Sequence, residues 1–73
     1  MQLASAASAA DRVDPRLAQA ERLVAEGRCT AALEVLAELR RADPNDARTL
    51  LQIAHCELDE QRYQAAAETL AIA

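Results

Sequence analysis

Residues 34 positions apart recur along this chain, and that spacing restricts its fold more than any other feature. Self-similarity at a period of about 20–50 residues is typical of proteins in which one supersecondary unit stacks on the next. The matches include alanines, which let two helices approach closely, and leucines, which fill the space between helices. The matched pairs are Leu17 and Leu51, Ala20 and Ala54, Glu26 and Glu60, Arg28 and Arg62, Ala31 and Ala65, Ala32 and Ala66, Glu34 and Glu68, Leu36 and Leu70, and Ala37 and Ala71. The sequence therefore predicts two copies of one unit.

A proline near the middle of the chain marks the predicted boundary between the two units. Pro44 stands in the stretch "ADPNDARTL" and disfavours the α conformation for Asp43, so a helix is expected to end there. Asn45 or Asp46 can cap the helix that follows. The helical pattern thus stops at this proline and resumes directly after it.

The remaining signals along the chain are helical. Asp14 suits an N-cap and Pro15 the first helical position, while Gly27 suits the end of that helix and Thr30 can cap the next one. No segment shows the alternating pattern of a strand. Apolar residues recur at helical spacing in four groups: Leu17, Ala20, Leu23 and Val24; Ala32, Leu33, Leu36 and Leu39; Leu50, Leu51, Ile53, Ala54 and Leu58; and Ala66, Leu70 and Ala73. The predicted fold is all-α, with four antiparallel helices joined by short loops.

These residues and their spacing resemble the tetratricopeptide repeat (TPR), whose unit is two antiparallel helices over about 34 residues. Gly27 falls at the turn between the helices, Ala32 at their close crossing, Leu36 at the large apolar position, and 43–45 at the exit. The resemblance covers residues 13–73. It implies two tandem helix-turn-helix repeats, 13–46 and 47–73, which together form a fragment of an α-solenoid.

The chain departs from the family pattern at a few positions. Arg16 and Gln19 stand where the first helix usually carries large apolar residues, Glu57 replaces another apolar residue, and Gln61 replaces a turn glycine. Residues 1–12 are rich in Ala and Ser and are expected to be flexible or weakly helical.

The second repeat is expected to lack a capping helix with a polar outer face, which repeat proteins normally carry. An uncovered last helix favours dimerisation or folding against another protein. Alternatively, residues 1–12 fold back as a fifth element.

Charge and composition exclude several classes of partner. The net charge is −4, with eight arginines and no lysine, so the basic cluster that nucleic acids or anionic membranes need is missing. No apolar run approaches the roughly 20 residues that span a bilayer. The start of the chain lacks a basic leader, so a cytoplasmic location is expected, with Cys29 and Cys56 as buried or half-buried thiols.

Few residues could support catalysis. His55 is the single histidine, and Cys56 beside it points about 100° away on a helix, so the two do not form a nucleophile–base pair. Cys29, His55 and Cys56 lack the spacing of a zinc site, and no glycine-rich phosphate loop is present. The sequence thus predicts a non-enzymatic protein without a metal or cofactor.

The resemblance implies a concave groove lined by the first helix of each repeat. Its apolar part is expected to suit an amphipathic helix or an extended apolar segment. Some TPR proteins clamp a terminal carboxylate with Lys and Asn in this groove. Here Leu17 and Leu51 stand at the lysine positions and Glu21 and His55 at the asparagine positions, which argues against such a clamp. The predicted partner-binding residues are Leu17, Glu21, Val24, Arg48, Leu51, Gln52, His55 and Leu58.

Three functions remain open at this point. The first is recognition of another protein through the groove. The second is a small chaperone, similar to the short TPR chaperones of type III secretion, which holds an aggregation-prone client. The third is a structural subunit that assembles with itself as a homo-oligomer, its groove buried in the contact.

Overall fold

The computed structural model describes residues 14–73, which form four α-helices and contain no strand. The expectation for residues 1–12 lies outside this part of the chain. The helices are α1 (Pro15–Ala25), α2 (Cys29–Ala42), α3 (Ala47–Asp59) and α4 (Tyr63–Ile72). Helix α1 packs against α2 and α3 against α4, and α3 also packs against α2 and α1. The all-α fold of tandem TPR-like repeats is confirmed.

Helix α1 begins as its sequence predicts. The Oδ1 atom of Asp14 accepts a hydrogen bond of 2.9 Å from the backbone N–H of Arg16, and Pro15 occupies the first turn. The guanidinium of Arg16 also lies 2.8 Å from the Asp14 carboxylate. These hydrogen bonds from Arg16, the side-chain one first, lower the pKa of the Asp14 carboxyl.

The turns that end α1 and α3 have the same backbone geometry. Gly27 has a φ of 76° and Gln61, 34 positions later, a φ of 61°, so both adopt the left-handed conformation. At each site this residue donates to the carbonyl three residues back, over 3.0 Å for Gly27 and 2.9 Å for Gln61. The next residue, Arg28 or Arg62, donates to the carbonyl five residues back, over 2.8 Å and 2.7 Å. Both turns are therefore Schellman motifs, and Gln61 adopts the glycine conformation without being glycine.

One of the capping predictions is wrong, and another is confirmed in the position of the cap but not in its hydrogen bond. Helix α2 begins at Cys29 with Arg28 as N-cap and no side-chain capping bond, so Thr30 lies inside the helix and does not cap it. Asp46 is the N-cap of α3, but its carboxylate accepts from the Thr49 hydroxyl, over 2.9 Å, instead of a backbone N–H. The Asp43 side chain accepts from the N–H of Asn45 over 3.3 Å, which supports the turn at Pro44.

The core lies between the two repeats as well as within them. Residues of α1 and α2 make up most of it, and Ile53 and Cys56 of α3 complete it. The cluster of buried residues consists of Leu17, Ala20, Val24, Cys29, Ala32, Leu36, Leu39, Ile53 and Cys56. Its position explains the stacking, because α3 covers apolar side chains that the first helix pair cannot bury alone.

The two cysteines form a disulfide across the junction between the repeats. Cys29 starts α2 and Cys56 lies in α3, and their Cα atoms are 5.5 Å apart. Both side chains are buried, as expected, but they are not free thiols, and that prediction needs correction. The reason is tertiary: two positions 27 residues apart in sequence come together only when α3 packs on α2.

The unexpected Glu57 has a specific partner in the second repeat. Its carboxylate is buried between α3 and α4 and accepts a hydrogen bond of 2.8 Å from the hydroxyl of Thr69, which is also buried. The equivalent positions of the first repeat carry Leu23 and Val35, both packed against the core. The second repeat therefore replaces an apolar pair with a hydrogen-bonded polar pair at one site.

Candidate functional site

The first helices of the two repeats lie side by side, and an ion pair joins them. The guanidinium of Arg48 on α3 lies 3.0 Å from the carboxylate of Glu21 on α1. Arg48 is exposed and Glu21 half-buried, so solvent screens this pair, and it contributes about 0–1 kcal/mol to stability. Its main consequence is positional, because it fixes a charged border along the α1–α3 surface.

Two of the predicted partner-binding residues lie in the core. Leu17 is 2% exposed and Val24 is 7% exposed, because both face the junction between the repeats and pack in the central cluster. They cannot present an apolar surface to a partner while α3 covers them. The expectation that Leu17 and Val24 line a groove therefore does not fit their burial.

The remaining predicted residues share one surface, which we call the groove surface. Leu51 is 51% exposed and Leu58 is 47% exposed, and they lie seven residues apart on the same side of α3. His55 lies between them and is also exposed, whereas Gln52 is half-buried. The groove surface consists of Glu21, Arg48, Leu51, Gln52, His55 and Leu58.

The 34-residue spacing explains why these two leucines are exposed. Leu51 and Leu58 occupy the positions of Leu17 and Val24 in the first repeat. In the first repeat α3 packs against α1 and α2 and the two positions are buried, whereas in the second repeat they face solvent. A repeat thus buries these side chains by means of its successor, and the second repeat presents them.

The sequence analysis missed two further exposed residues of this kind, both on α4. Tyr63 is 63% exposed, although its counterpart Cys29 is buried. Leu70 is 44% exposed, although its counterpart Leu36 is fully buried. The 34-residue offset already contained this signal, because it pairs each of these residues with a core position. Together Leu51, Leu58, Tyr63 and Leu70 form what we call the end face.

The groove surface can contact a partner but carries few groups that could catalyse a reaction or hold a metal ion. Within residues 14–73, no three His, Cys, Asp or Glu side chains come close enough to hold a metal ion. The sulfur of Cys56 is bonded to Cys29, and the exposed His55, which precedes Cys56, lies on another side of α3. Apolar side chains bordered by one ion pair can bury area against another apolar surface and orient it by charge. None of α1 to α4 is long and apolar enough to cross a membrane.

Comparisons with known proteins agree with this geometry. A family model described as "Tetratricopeptide repeat" matches residues 23–73, which is more than half of the 73-residue chain. The match includes both turns with left-handed backbone and the whole of α2, α3 and α4. A comparison with curated proteins gave no match, and neither did one with solved structures.

Proposed function

Because the chain belongs to the tetratricopeptide repeat family, we propose that it is a non-enzymatic binding module whose groove surface receives an apolar segment of another protein. TPR proteins are in general protein–protein interaction modules, and their repeats are a non-catalytic fold. The observation that carries the proposal is the exposure of Leu51 and Leu58 on one side of α3. Large aliphatic side chains half exposed at a spacing of seven residues suit a helical or extended apolar segment.

The charged border gives this proposed site a direction. Arg48 on α3 pairs with Glu21 on α1, so polar groups of a partner are expected at the border between these two helices and apolar groups over Leu51 and Leu58. The Arg48 guanidinium still carries exposed N–H groups besides those directed at Glu21, and these can donate to carbonyls of the partner's backbone.

Site-specific photocrosslinking tests this proposal. A photoreactive residue at His55, in the centre of the groove surface, is expected to crosslink to a partner in extract of the native host. The same residue at Ala37, which is exposed on α2, serves as the matched control. We expect Leu51→Glu and Leu58→Glu to remove the His55 crosslink and to keep the helical circular dichroism signal, because both side chains are largely in solvent. The proposal is contradicted if the photoreactive residue crosslinks equally from His55 and from Ala37, or if the two Glu variants keep the His55 crosslink of the native chain.

The chaperone function uses the same surface and differs in the complex it forms. A chaperone for an aggregation-prone client is expected to give a stable one-to-one complex that keeps the client from precipitating. Purification of the crosslinked partner followed by a light-scattering aggregation assay distinguishes the two. A partner that stays dispersed without the module argues for simple recognition.

The cytoplasmic location expected from the sequence stays a prediction, and the cysteine pair gives it a test. Disulfides are rare in the reducing cytosol and persist in oxidising compartments. Alkylation of thiols in intact cells, before lysis, reports the state of Cys29 and Cys56. Alkylation of both cysteines supports a cytoplasmic location, and alkylation of neither supports an oxidising compartment.

A further inference from the structure

The disulfide joins the two helix pairs where they meet and lies within neither pair. Cys29 begins α2 and Cys56 lies in α3, so the bond crosses from the first repeat to the second. The 34-residue repeat does not impose this pair, because the counterparts of Cys29 and Cys56 are Tyr63 and Arg22. The cross-link is therefore specific to the junction between the two repeats.

The noncovalent contacts across this junction are limited. Each helix pair packs more extensively within itself than against the other pair. Ile53 and Cys56 are the residues of α3 that join the buried cluster of the first pair. The ion pair between Arg48 and Glu21 also joins α3 to α1, but solvent screens it. Local opening takes place where buried apolar contacts are fewest, so without the covalent bond the two pairs are expected to separate before either pair unfolds.

Both oxidation states of the cysteine pair fit the same positions. Cys56 is fully buried, in surroundings that neutral thiols commonly occupy. Cys29 is 8% exposed, and its sulfur lies 3.9 Å from the carboxylate of Asp59. In the reduced chain this carboxylate can accept a weak hydrogen bond from the Cys29 thiol. Reduction therefore removes the covalent bond between the pairs and leaves both thiols in suitable surroundings.

We propose that the Cys29–Cys56 disulfide is a redox switch that controls opening of the junction between the repeats. In the oxidised chain it holds α3 against α2, and Leu17 and Val24 stay buried. In the reduced chain the α3–α4 pair separates transiently from the α1–α2 pair as a helical unit, which exposes Leu17 and Val24 to solvent. The inference goes beyond the proposed function, because neither residue belongs to the groove surface and the opening needs no partner.

A dithiol reductant supplies the two electrons for the switch. One of its thiolates attacks the sulfur of Cys29, the more accessible of the two, and the Cys56 sulfur leaves as a thiolate that takes up a proton. The second thiolate of the reductant then attacks the reductant's own sulfur in the mixed disulfide, and the Cys29 sulfur leaves and takes up a proton. The products are two protein thiols and one disulfide of the reductant. Exchange with a disulfide of the same class reverses both steps.

Alkylation kinetics in a Val24→Cys chain test the switch. Val24 is 7% exposed, so iodoacetamide is expected to reach a thiol at this position only after opening. We compare initial rates in the disulfide-intact chain and after reduction with dithiothreitol, which is removed before alkylation. The introduced thiol is expected to react on the order of 100-fold faster after reduction, the factor that a cross-link closing a loop of 27 residues typically gives. Tryptic peptides distinguish it from Cys29, because Arg28 lies between the two positions.

Thr69→Cys is the matched control. Thr69 is also buried, but it lies between α3 and α4, inside the second helix pair. Separation of the pairs leaves this position covered, so a thiol there is expected to react only when the pair itself unfolds. The urea dependence of the alkylation rate distinguishes the two events, because it grows with the surface exposed. In the reduced chains we expect a weaker urea dependence for Val24→Cys than for Thr69→Cys.

Each outcome supports or overturns the inference. Equal rates for oxidised and reduced Val24→Cys overturn it. Equal urea dependences for Val24→Cys and Thr69→Cys also overturn it, because the bond then stabilises the whole fold and controls no separate opening. A faster reaction after reduction, with the weaker urea dependence, supports it.

The reduced native chain gives the same test without a substitution if Val24→Cys does not fold. Cys56 is fully buried, and its alkylation is expected to depend less on urea than unfolding followed by circular dichroism does. Equal dependences overturn the inference here too. Neither experiment involves a partner, so a failure of the proposed function leaves these results unchanged.

Discussion

The paired turns at Gly27 and Gln61 allow a sharp test of the repeat, because one conformation is held by glycine at one site and by glutamine at the other. A left-handed backbone costs a residue with a Cβ atom roughly 1–2 kcal/mol relative to glycine. A Cβ atom built at Gly27 meets no atom within 4 Å, so steric clash adds nothing to this cost. Gln also makes the unfolded chain less flexible than Gly, which offsets roughly 0.4–1 kcal/mol, so Gly27→Gln is expected to destabilise the fold by about 0.5–1 kcal/mol.

Gln61→Gly is expected to act in the opposite direction. It removes the left-handed penalty, but glycine also makes the unfolded chain more flexible, which offsets roughly 0.4–1 kcal/mol of the gain. The net stabilisation is therefore about 0.5–1 kcal/mol. For a domain of this size, 1 kcal/mol corresponds to a shift in Tm of roughly 4–8 °C. Urea and thermal unfolding followed by circular dichroism, at a concentration fixed across variants, measure both changes.

Gln19→Gly is the matched control for Gln61→Gly. Gln19 is exposed in the middle of α1, where the backbone is right-handed, so glycine there is expected to cost about 0.5–1 kcal/mol. The same chemical change should thus destabilise at one site and stabilise at the other. If both substitutions destabilise, or if Gly27→Gln leaves the free energy of unfolding unchanged, the equivalence of the two turns is refuted.

Three further predictions concern the polar core pair, the disulfide and the start of α1. Thr69→Val is expected to destabilise by about 1–3 kcal/mol because it leaves the buried Glu57 carboxylate without its donor, and adding Glu57→Leu should restore most of the loss in urea unfolding. Reduction of Cys29–Cys56, which closes a loop of 27 residues, is expected to cost about 3.5 kcal/mol by loop entropy; a Tm that is equal with and without dithiothreitol contradicts this. The pKa of the Asp14 carboxyl lies below 3.8 in the folded chain, so the stability that this carboxylate contributes is present above that pH and is lost as the pH falls further. The Tm difference between the native chain and Asp14→Asn should therefore shrink below about pH 4.

The sequence was sufficient for the parts of the fold that depend on local chemistry and on the repeat. Pro44 ends α2 and Asp14 with Pro15 starts α1 because the conformational preferences of those residues act locally. Gln61 shows how the repeat overrides local preference, since the 34-residue register imposes a glycine conformation on a glutamine. Thr30 is a second case, because α2 starts at Cys29, two residues before the start that a Thr30 cap would give.

The candidate site was only partly predictable, because helical periodicity shows which face of a helix is apolar and not what covers it. Leu17 and Leu51 have the same position in the repeat and similar neighbours, yet one is buried and the other exposed. The difference arises because α3 packs against α1 and α2, whereas none of the helices in residues 14–73 packs in the same way on the second repeat. The disulfide between Cys29 and Cys56 could not be predicted from the sequence either, since it depends on how closely α3 approaches α2.

The central claim is that the second repeat exposes the side chains that the first repeat buries. Methyl NMR with a soluble paramagnetic agent, at low protein concentration, measures this most directly. The account predicts strong relaxation enhancement for the methyl groups of Leu51 and Leu58, and protection of those of Leu17 and Val24. Equal enhancement within the pairs Leu17 and Leu51, and Val24 and Leu58, would contradict the claim.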